Sequence, residues 1–432
     1  MIMLKKNILF IFSLCVSPVA AGQQNPLLEK YRSMAVEYNH DLKAADKNIA
    51  ASIELEKAAQ KDLYPKLTGE ANFQYTGNPL QLTLDLPSME GPATFKGKDL
   101  KYGASISLLQ PIYTGGRLLE TIRMAKYRYN MGGFQEEYIR SGIYLQTDMQ
   151  YWNTVARAEI TRISKDYRNS VASLTQTIRE RVEAGLTDPQ DLLMMEVKLN
   201  EAEYQLLQAQ KNLENGRMAL NSLIGVELLV QTEVEDSVAV VTTEDPLLWT
   251  NENTLRPEQK ITMEQIKIAE SEKRLTDSKY KPQFYIGLDG SYSSPGYNFD
   301  SDLDPNYAVY AKISVPLFEW GKRRNEKRAS SLKVDMVADN LNKVTDEINL
   351  EIQMVRNSLR QALKQVDLTK NSLDKARENE VMALERYTEG KSSVIEVIDA
   401  QTYRQMAQNN HVQARASAQI YYSQLLKALN KY

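Results

Sequence analysis

The sequence predicts a mainly α-helical fold with a β contribution. Long antiparallel coiled-coil helices form an α-helical barrel, and four strands per chain enter a trimeric, twelve-stranded transmembrane β-barrel. The whole plan is an internal tandem duplication. Three observations carry this reading. The chain repeats itself at an offset of about 205 residues, with Gln110-Pro111-Ile-Tyr answered by Val315-Pro316-Leu-Phe, Gly116 by Gly321, and Arg181-x-x-x-Gly185 by Arg386-x-x-x-Gly390. Four segments alternate apolar and polar residues with period two. Two spans, 117–184 and 322–388, contain no proline and few glycines.

The elements follow in chain order. Residues 1–21 hold Lys5 and Lys6, an apolar run over 8–16 and the small-residue end Val19-Ala20-Ala21, the layout of a secretory signal peptide. The only cysteine, Cys15, lies inside that segment after Leu14, where a lipid-anchoring signal wants a small residue. Without it the mature chain has no thiol, so disulfides and thiolate metal sites are excluded. Loss of Lys5 and Lys6 takes the formal charge from -3 to -5. That balance carries no nucleic-acid signature.

The first repeat, 22–225, opens with a helix over 26–62. A strand pair follows at 66–76 and 102–109. Leu67, Ala71, Phe73 and Tyr75 share one face of the first strand, and Tyr102, Ala104, Ile106 and Leu108 one face of the second. Strands of about ten residues with one apolar face suit a barrel wall in lipid. The loop over 77–99 is polar and longer than a hairpin turn. The long helix 117–184 spans about 100 Å at 1.5 Å per residue and needs a coiled-coil partner. The helix 188–223 supplies one, since Leu192, Met195, Leu199, Ala202, Leu206, Ala209, Leu213, Gly216, Leu220 and Leu223 keep an unbroken 3-4 spacing.

Residues 226–255 read as a mixed equatorial belt with strand-like runs such as 238–241. The second repeat, 256–432, restates the plan: a helix over 256–279, strands 283–292 and 306–315, a long helix 322–388 and a shorter helix 393–429. Its seam, running through Val397, Ala400, Arg404, Ala407, His411, Ala414, Ala418, Tyr421, Leu425 and Ala428, is dominated by alanine. Small residues let helix axes approach closely.

One chain supplies four strands, fewer than the eight of the smallest single-chain barrels, and an open sheet in lipid leaves two edges unpaired. Three copies close the ring at twelve strands. No apolar run is long enough for a membrane-spanning helix. Tyrosine, at 24 against 8 phenylalanines, fits aromatics placed at wet boundaries.

In these features the chain resembles the TolC-like outer-membrane efflux proteins: the signal peptide, the doubled strand pair and long helix, the junctions Pro111 to Gly116 and Pro316 to Gly321, and the turns that set Asp191 and Glu396 six residues after a glycine. The resemblance implies a homotrimeric duct in the bacterial outer membrane, contacting outer-membrane lipid, with its helical barrel in the periplasm. It also implies a periplasmic adaptor and an inner-membrane pump as partners. Substrates would leave passively, without enzymatic chemistry, cofactor or metal. The alternative is a periplasmic coiled-coil scaffold or adaptor without a pore, its alternating segments a soluble β domain.

Candidate functional residues lie at the two turns between long and short helices. Asp188 is a helix N-cap, Pro189 occupies the first helical position and Asp191 closes the cap; Ser393 and Glu396 make a capping box. Asp399 lies one turn beyond Glu396 on nearly the same face. The resemblance implies that Glu396 and Asp399 line the periplasmic entrance as an acidic ring, although Glu396 stands where the family carries aspartate. It further implies a gate latch between Asp191 and Tyr387, and adaptor contacts at Gly185, Leu186, Thr187, Gly390, Lys391 and Ser392. Ser392 stands where the family's pattern has an arginine, which implies one latch intact and another absent or weaker.

Other motifs carry less. Asp300-x-Asp302-x-Asp304 begins like a calcium loop, but Pro305 occupies the place of the turn glycine and Ala311 that of the closing Glu. Lys322-Arg323-Arg324-x-x-Lys327-Arg328 reads as a solvated helix face at the barrel mouth. His40 and His411 are the only histidines, and neither stands with a nucleophile or a metal-ligand set.

Overall fold

Helix formation dominates because most of the chain is free of proline and glycine. The computed structural model describes residues 25–84, 91–241, 254–296 and 302–432. The signal peptide at 1–21, Asp300 of the carboxylate run and positions 242–253 of the belt lie outside the described residues. The chain forms two compact units. One combines residues up to Asn39 with 142–253 and 352–432 and, among the described residues, holds helices and the extended belt segment but no strand; the other combines 40–141 with 254–351 and holds the strands.

Chain order begins with α1 (Pro26–Tyr38) and α2 (His40–Lys61). The single helix expected over 26–62 is therefore two, and Asn39 is the break. Its backbone leaves the helical region at φ -56, ψ 127, and its N–H closes α1 on the Ala35 carbonyl at 2.9 Å. Asparagine competes with helical bonding through its own amide, which composition without proline or glycine does not announce.

The strands are β1 (Lys66–Tyr75), β2 (Gln81–Leu84), β3 (Ala93–Lys96) and β4 (Leu100–Thr114), followed in the second repeat by β5 (Gln283–Ser294) and β6 (Asp304–Ser314). The short pair β2 and β3 corrects the reading of 77–99 as plain loop: Leu82 and Leu84 alternate with Gln81 and Thr83 and pair with Phe95 and Ala93. The main sheet runs β1-β4-β5-β6, every neighbour antiparallel. Its register aligns Leu67, Leu108, Leu288 and Val309 in one row across all four strands, and Thr68, Ser107, Asp289 and Ala308 in the next. Successive residues point to opposite faces, so one face is mainly apolar and the other mainly polar. On the polar face the Ser107 hydroxyl donates to Asp289 at 2.5 Å.

The helices are α3 (Arg117–Glu183), α4 (Pro189–Ile224), α5 (Pro257–Ser278), α6 (Lys322–Thr388) and α7 (Val394–Ala428). In the strand-bearing unit, α5 is tied to the first part of α3 by Arg274 to Glu120 at 2.8 Å and Lys260 to Glu137 at 3.0 Å. The turn into α3 is tight: Gly115 has φ +67, and a Cβ there would lie 2.5 Å from the Ser278 carbonyl. Only glycine fits that approach.

In the helical unit, Met195, Ala202, Ala209 and Gly216 recur every seventh residue along α4, and all are buried. The small size of Ala209 and Gly216 lets α3 come close enough there for side chains to reach backbone. Thr154 donates to the Gly216 carbonyl at 3.2 Å, Gln150 to the same oxygen at 3.0 Å, and Thr161 to that of Ala209 at 3.1 Å. Arg32 of α1 forms a two-toothed pair with Asp148 of α3, 2.7 and 2.5 Å, and the Tyr432 hydroxyl donates to the same carboxylate at 2.8 Å. The belt carries no strand at 238–241. Instead the Val238 N–H donates to Glu159 at 3.0 Å, its carbonyl accepts from Arg415 at 2.8 Å, and the Ala239 carbonyl accepts from Gln419 at 3.0 Å. Side chains of α3 and α7 supply the partners a ladder would have supplied.

His411 sits in the α6–α7 seam, its Nδ1 3.1 Å from the Thr369 hydroxyl. Burial pushes its imidazole below the usual histidine range; Arg415 and Lys370 add to this, while Glu159 and Asp374 oppose it. The unfolded chain then takes up a proton that the folded chain refuses, so stability falls as pH drops below about 6.5. Thermal unfolding from about pH 7.5 to about pH 5.5 should therefore shift less in His411→Gln than in the parent. Equal shifts would assign the acid sensitivity elsewhere.

Candidate functional site

Both turns are built alike. After α3, Gly185 has φ +72, the Leu186 N–H donates to the Arg181 carbonyl at 2.8 Å and the Gly185 N–H to that of Val182 at 2.9 Å. After α6, Gly390 has φ +69, the Lys391 N–H reaches the Arg386 carbonyl at 2.8 Å and the Gly390 N–H that of Tyr387 at 3.0 Å. These bonds satisfy the last carbonyls of each long helix, and a left-handed residue closes the end, which explains the doubled Arg-x-x-x-Gly pattern.

The caps that start α4 and α7 differ. Asp188 accepts from the Gln190 N–H at 2.8 Å and carries the first cap alone. The side chain of Asp191, read from sequence as closing that cap, makes no hydrogen bond or ion pair among the described residues, and it is half-buried. Glu396 does form the capping box with Ser393, whose N–H lies 3.4 Å from its carboxylate. Its other oxygen is 3.9 Å from exposed Arg386. Asp399 is exposed one turn further on and pairs with no cation among the described residues. Its field nevertheless reaches Lys198, which the Glu201 carboxylate at 2.9 Å holds above the usual lysine range. Glu396 and Asp399 thus present two carboxylates on the outer surface of α7.

Tyr387 is placed otherwise than a solvent-side latch residue in a single chain. Its ring is buried in a cluster with Tyr167, Ile178, Met195, Val394 and Val397. The Arg181 guanidinium lies 4.9 Å over the ring, and the hydroxyl has no hydrogen-bond partner among the described residues. Tyr387 and Asp191 do not bond to each other within the chain. The sequence marked Arg181 only as a repeat position. No sequence signal separates its role from that of its repeat counterpart: Arg386 at the matching place lies near Glu396, while Arg181 faces an aromatic ring. Leu186 is 75% exposed at the outermost turn. Thr187 is half-buried beside it, and Lys391 pairs with Glu389 at 2.7 Å. Ser392 lies 3.5 Å from the Ala383 carbonyl.

The profile of the family described as outer membrane efflux protein matches residues 31–226 and 264–431. No curated protein sequence gives a significant match. Among solved structures, the Campylobacter jejuni CmeC outer membrane channel superposes with a TM-score of 0.75 at 18% identity, covering 94% of this chain and 86% of that one. The VceC outer membrane protein of Vibrio cholerae gives 0.74 at 14% identity over 94% and 96% of the two chains. The open-state MtrE outer membrane channel of Neisseria gonorrhoeae gives 0.72 at 16% over 94% and 89%.

The packing of Tyr387 separates two of its functions. Tyr387→Ala removes the ring from its cluster and should cost about 3 kcal/mol in unfolding free energy. Tyr387→Phe keeps the ring and the guanidinium contact and should leave unfolding within about 0.5 kcal/mol of the parent. Denaturant titration of both variants checks the pair.

Proposed function

The chain belongs to the outer membrane efflux protein family, and on that premise we propose that three copies assemble into a continuous duct serving as the passive exit of a tripartite efflux or secretion system. Substrates enter it from an inner-membrane pump through a periplasmic adaptor. The observation that carries this reading is the sheet: one mainly apolar face, and two edges, at β1 and β6, left open among the described residues. Neither edge is tolerable in lipid until a neighbour pairs with it. An exposed stripe on α4, comprising Leu193, Val197, Tyr204 and Leu207, also repeats with near-heptad spacing and calls for an apolar partner. A pore-free periplasmic scaffold has no use for a lipid-facing sheet.

The division into a signal peptide at 1–21, two repeats and a belt over 226–255 fits this role. In it the turns at Gly185, Leu186, Thr187 and at Gly390, Lys391, Ser392 meet the adaptor. Glu396 and Asp399 from three copies form two stacked acidic rings at the entrance. Asp191 accepts from a tyrosine hydroxyl, that of Tyr387, across neighbouring helix pairs in the closed entrance. Support comes from the carboxylate of Asp191 and the hydroxyl of Tyr387, neither of which has a hydrogen-bond partner among the described residues of one chain.

The test is reconstitution into planar bilayers after isolation of heat-modifiable trimers from outer-membrane fractions. A soluble monomer without conductance would favour the scaffold. In conducting protein, replacing Glu396 and Asp399 by Ala should bring cation selectivity down towards that of a neutral pore, and unchanged selectivity would discard the rings. Tyr387→Phe should raise leak conductance through the resting channel; an unaltered closed state counts against the latch.

A further inference from the structure

We propose that the open edge of β6 takes the β1 edge of a second copy in one fixed register, with Val309 opposite Tyr75, Ile313 opposite Ala71 and Glu319 opposite Lys66. Residues 315–319 become strand in that pairing alone. This pairing presupposes the barrel reading above and adds to it which residues of two copies meet.

The duplication supplies the template. Pro65 answers to Pro282 and Tyr75 to Tyr292, which matches β1 to β5; Pro111 answers to Pro316, which matches β4 to β6. The match is checked inside one chain, because β1 pairs with β4 as β5 does with β6. Lys66 with Leu109 translates to Gln283 with Ser314, and Tyr75 with Leu100 to Tyr292 with Pro305. Both translated pairs are observed, as are all those between them. The two hairpins therefore share one register.

β4 has a second neighbour, β5, on its other edge. Translated by the same matches, that pairing joins β6 to β1. No single chain satisfies it, since the two strands stand at opposite edges of the sheet, about 14 Å apart at three strand spacings. The partner is a second copy. Ala104 with Tyr292 becomes Val309 with Tyr75, Leu108 with Leu288 becomes Ile313 with Ala71, and Thr114 with Gln283 becomes Glu319 with Lys66.

The chemistry of the two edges agrees with this register. Tyr75, Phe73 and Ala71 fall beside Val309, Ala311 and Ile313, and Asn72 beside Lys312, so each face of the sheet runs on across the boundary between copies. A slip of one residue would cross the faces. A slip of two would keep them but separate the opposed charges of Glu319 and Lys66.

The length of β6 points the same way. β4 runs to Thr114, and its last residues, 110–114, pair with β5 alone. Their counterparts 315–319 follow β6 without forming strand. What they lack among the described residues is the neighbour that orders 110–114. Tyr113 lies against Phe284, ring centroids 6.3 Å apart, just past the register shift at Pro111. The counterparts Phe318 and Leu67 are 72% and 67% exposed in one chain, and the pairing sets them against each other. Pro316 repeats the shift, because proline has no N–H for the ladder.

Both ends of the assigned stretch are marked by glycines that the second repeat does not keep. A Cβ on Gly115 would lie 2.5 Å from the Ser278 carbonyl, and the counterpart of Gly115 is Trp320. Its side chain has no room for so close a neighbour, so the strands part after Glu319. A Cβ on Gly103 would lie 2.7 Å from that of Ser293, and the counterpart of Gly103 is Ala308. The register accordingly runs from Val309 to Glu319.

The experiment is disulfide trapping in full-length protein carrying Cys15→Ala, which leaves no other thiol. Outer-membrane fractions are oxidised and separated on non-reducing denaturing gels. Tyr75 and Val309 are each 71% exposed, so replacing them removes little packing. Tyr75→Cys/Val309→Cys should give covalent trimer at least about fivefold above Phe73→Cys/Val309→Cys and Gly77→Cys/Val309→Cys, whose Cα atoms at about 7–8 Å are beyond the reach of a disulfide. Lys66→Cys/Glu319→Cys should likewise exceed Thr68→Cys/Glu319→Cys. Ala104→Cys/Tyr292→Cys is the control and closes within one chain. A greater yield from a shifted pair overturns the register and leaves the ring of copies standing. Trapping at Val309 without trapping at Glu319 overturns the extension of β6. If the control closes and no pair joins copies, no second copy sits on β6 and the barrel reading falls as well. A control that stays reduced removes the sheet on which both depend.

Discussion

A backbone N–H or carbonyl in hydrocarbon must be bonded, and that requirement organises the rest of this structure. Four strands in register satisfy their inner ladders, yet β1 and β6 each keep one row of groups that no strand among the described residues pairs with. The alternation of side chains settles which face meets lipid, because the register aligns apolar residues across every strand at once. A single substitution on that face alters one contact, whereas a slip of one residue would turn an entire strand inside out. The residues in β1 and β4 to β6 are therefore constrained less by identity than by parity.

The helices answer a different difficulty. Helices as long as α3 and α6 cannot be held by the ends alone. Beside the large side chains of α4, close approach adds backbone bonds: Ala209 and Gly216 leave room for Thr154, Gln150 and Thr161 of α3 to bond its carbonyls. The same substitution of side chain for backbone partner recurs at the belt, where Glu159, Arg415 and Gln419 hold an extended segment that forms no strand. Buried charge is admitted where it is fully met, as when Arg32, Asp148 and Tyr432 converge.

Much of this was legible in the sequence because it rests on period and on doubling. Alternation marks the four wall strands, the heptad stripe marks α4, and glycine spacing marks the two turns. What escaped depends on contacts distant in sequence or on weak local competition. Asn39 breaks a helix without proline or glycine. The pair β2 and β3 is too short to stand out from loop. Val238 looks like a strand residue until the carboxylate that caps it is seen. At the tip, composition identified Glu396 and Asp399 as carboxylates on one face, but could not reveal that Arg181 covers Tyr387, since their pairing joins positions in two different repeats.

The grip of α3 upon α4 has a mechanical consequence. Hydroxyl and amide groups of one rod are hooked onto carbonyls of the other at successive turns, so axial slippage would have to break several attachments together. The two rods therefore behave as one strut. A push delivered at the outermost loop travels along the pair as a rigid displacement and is not spent on telescoping.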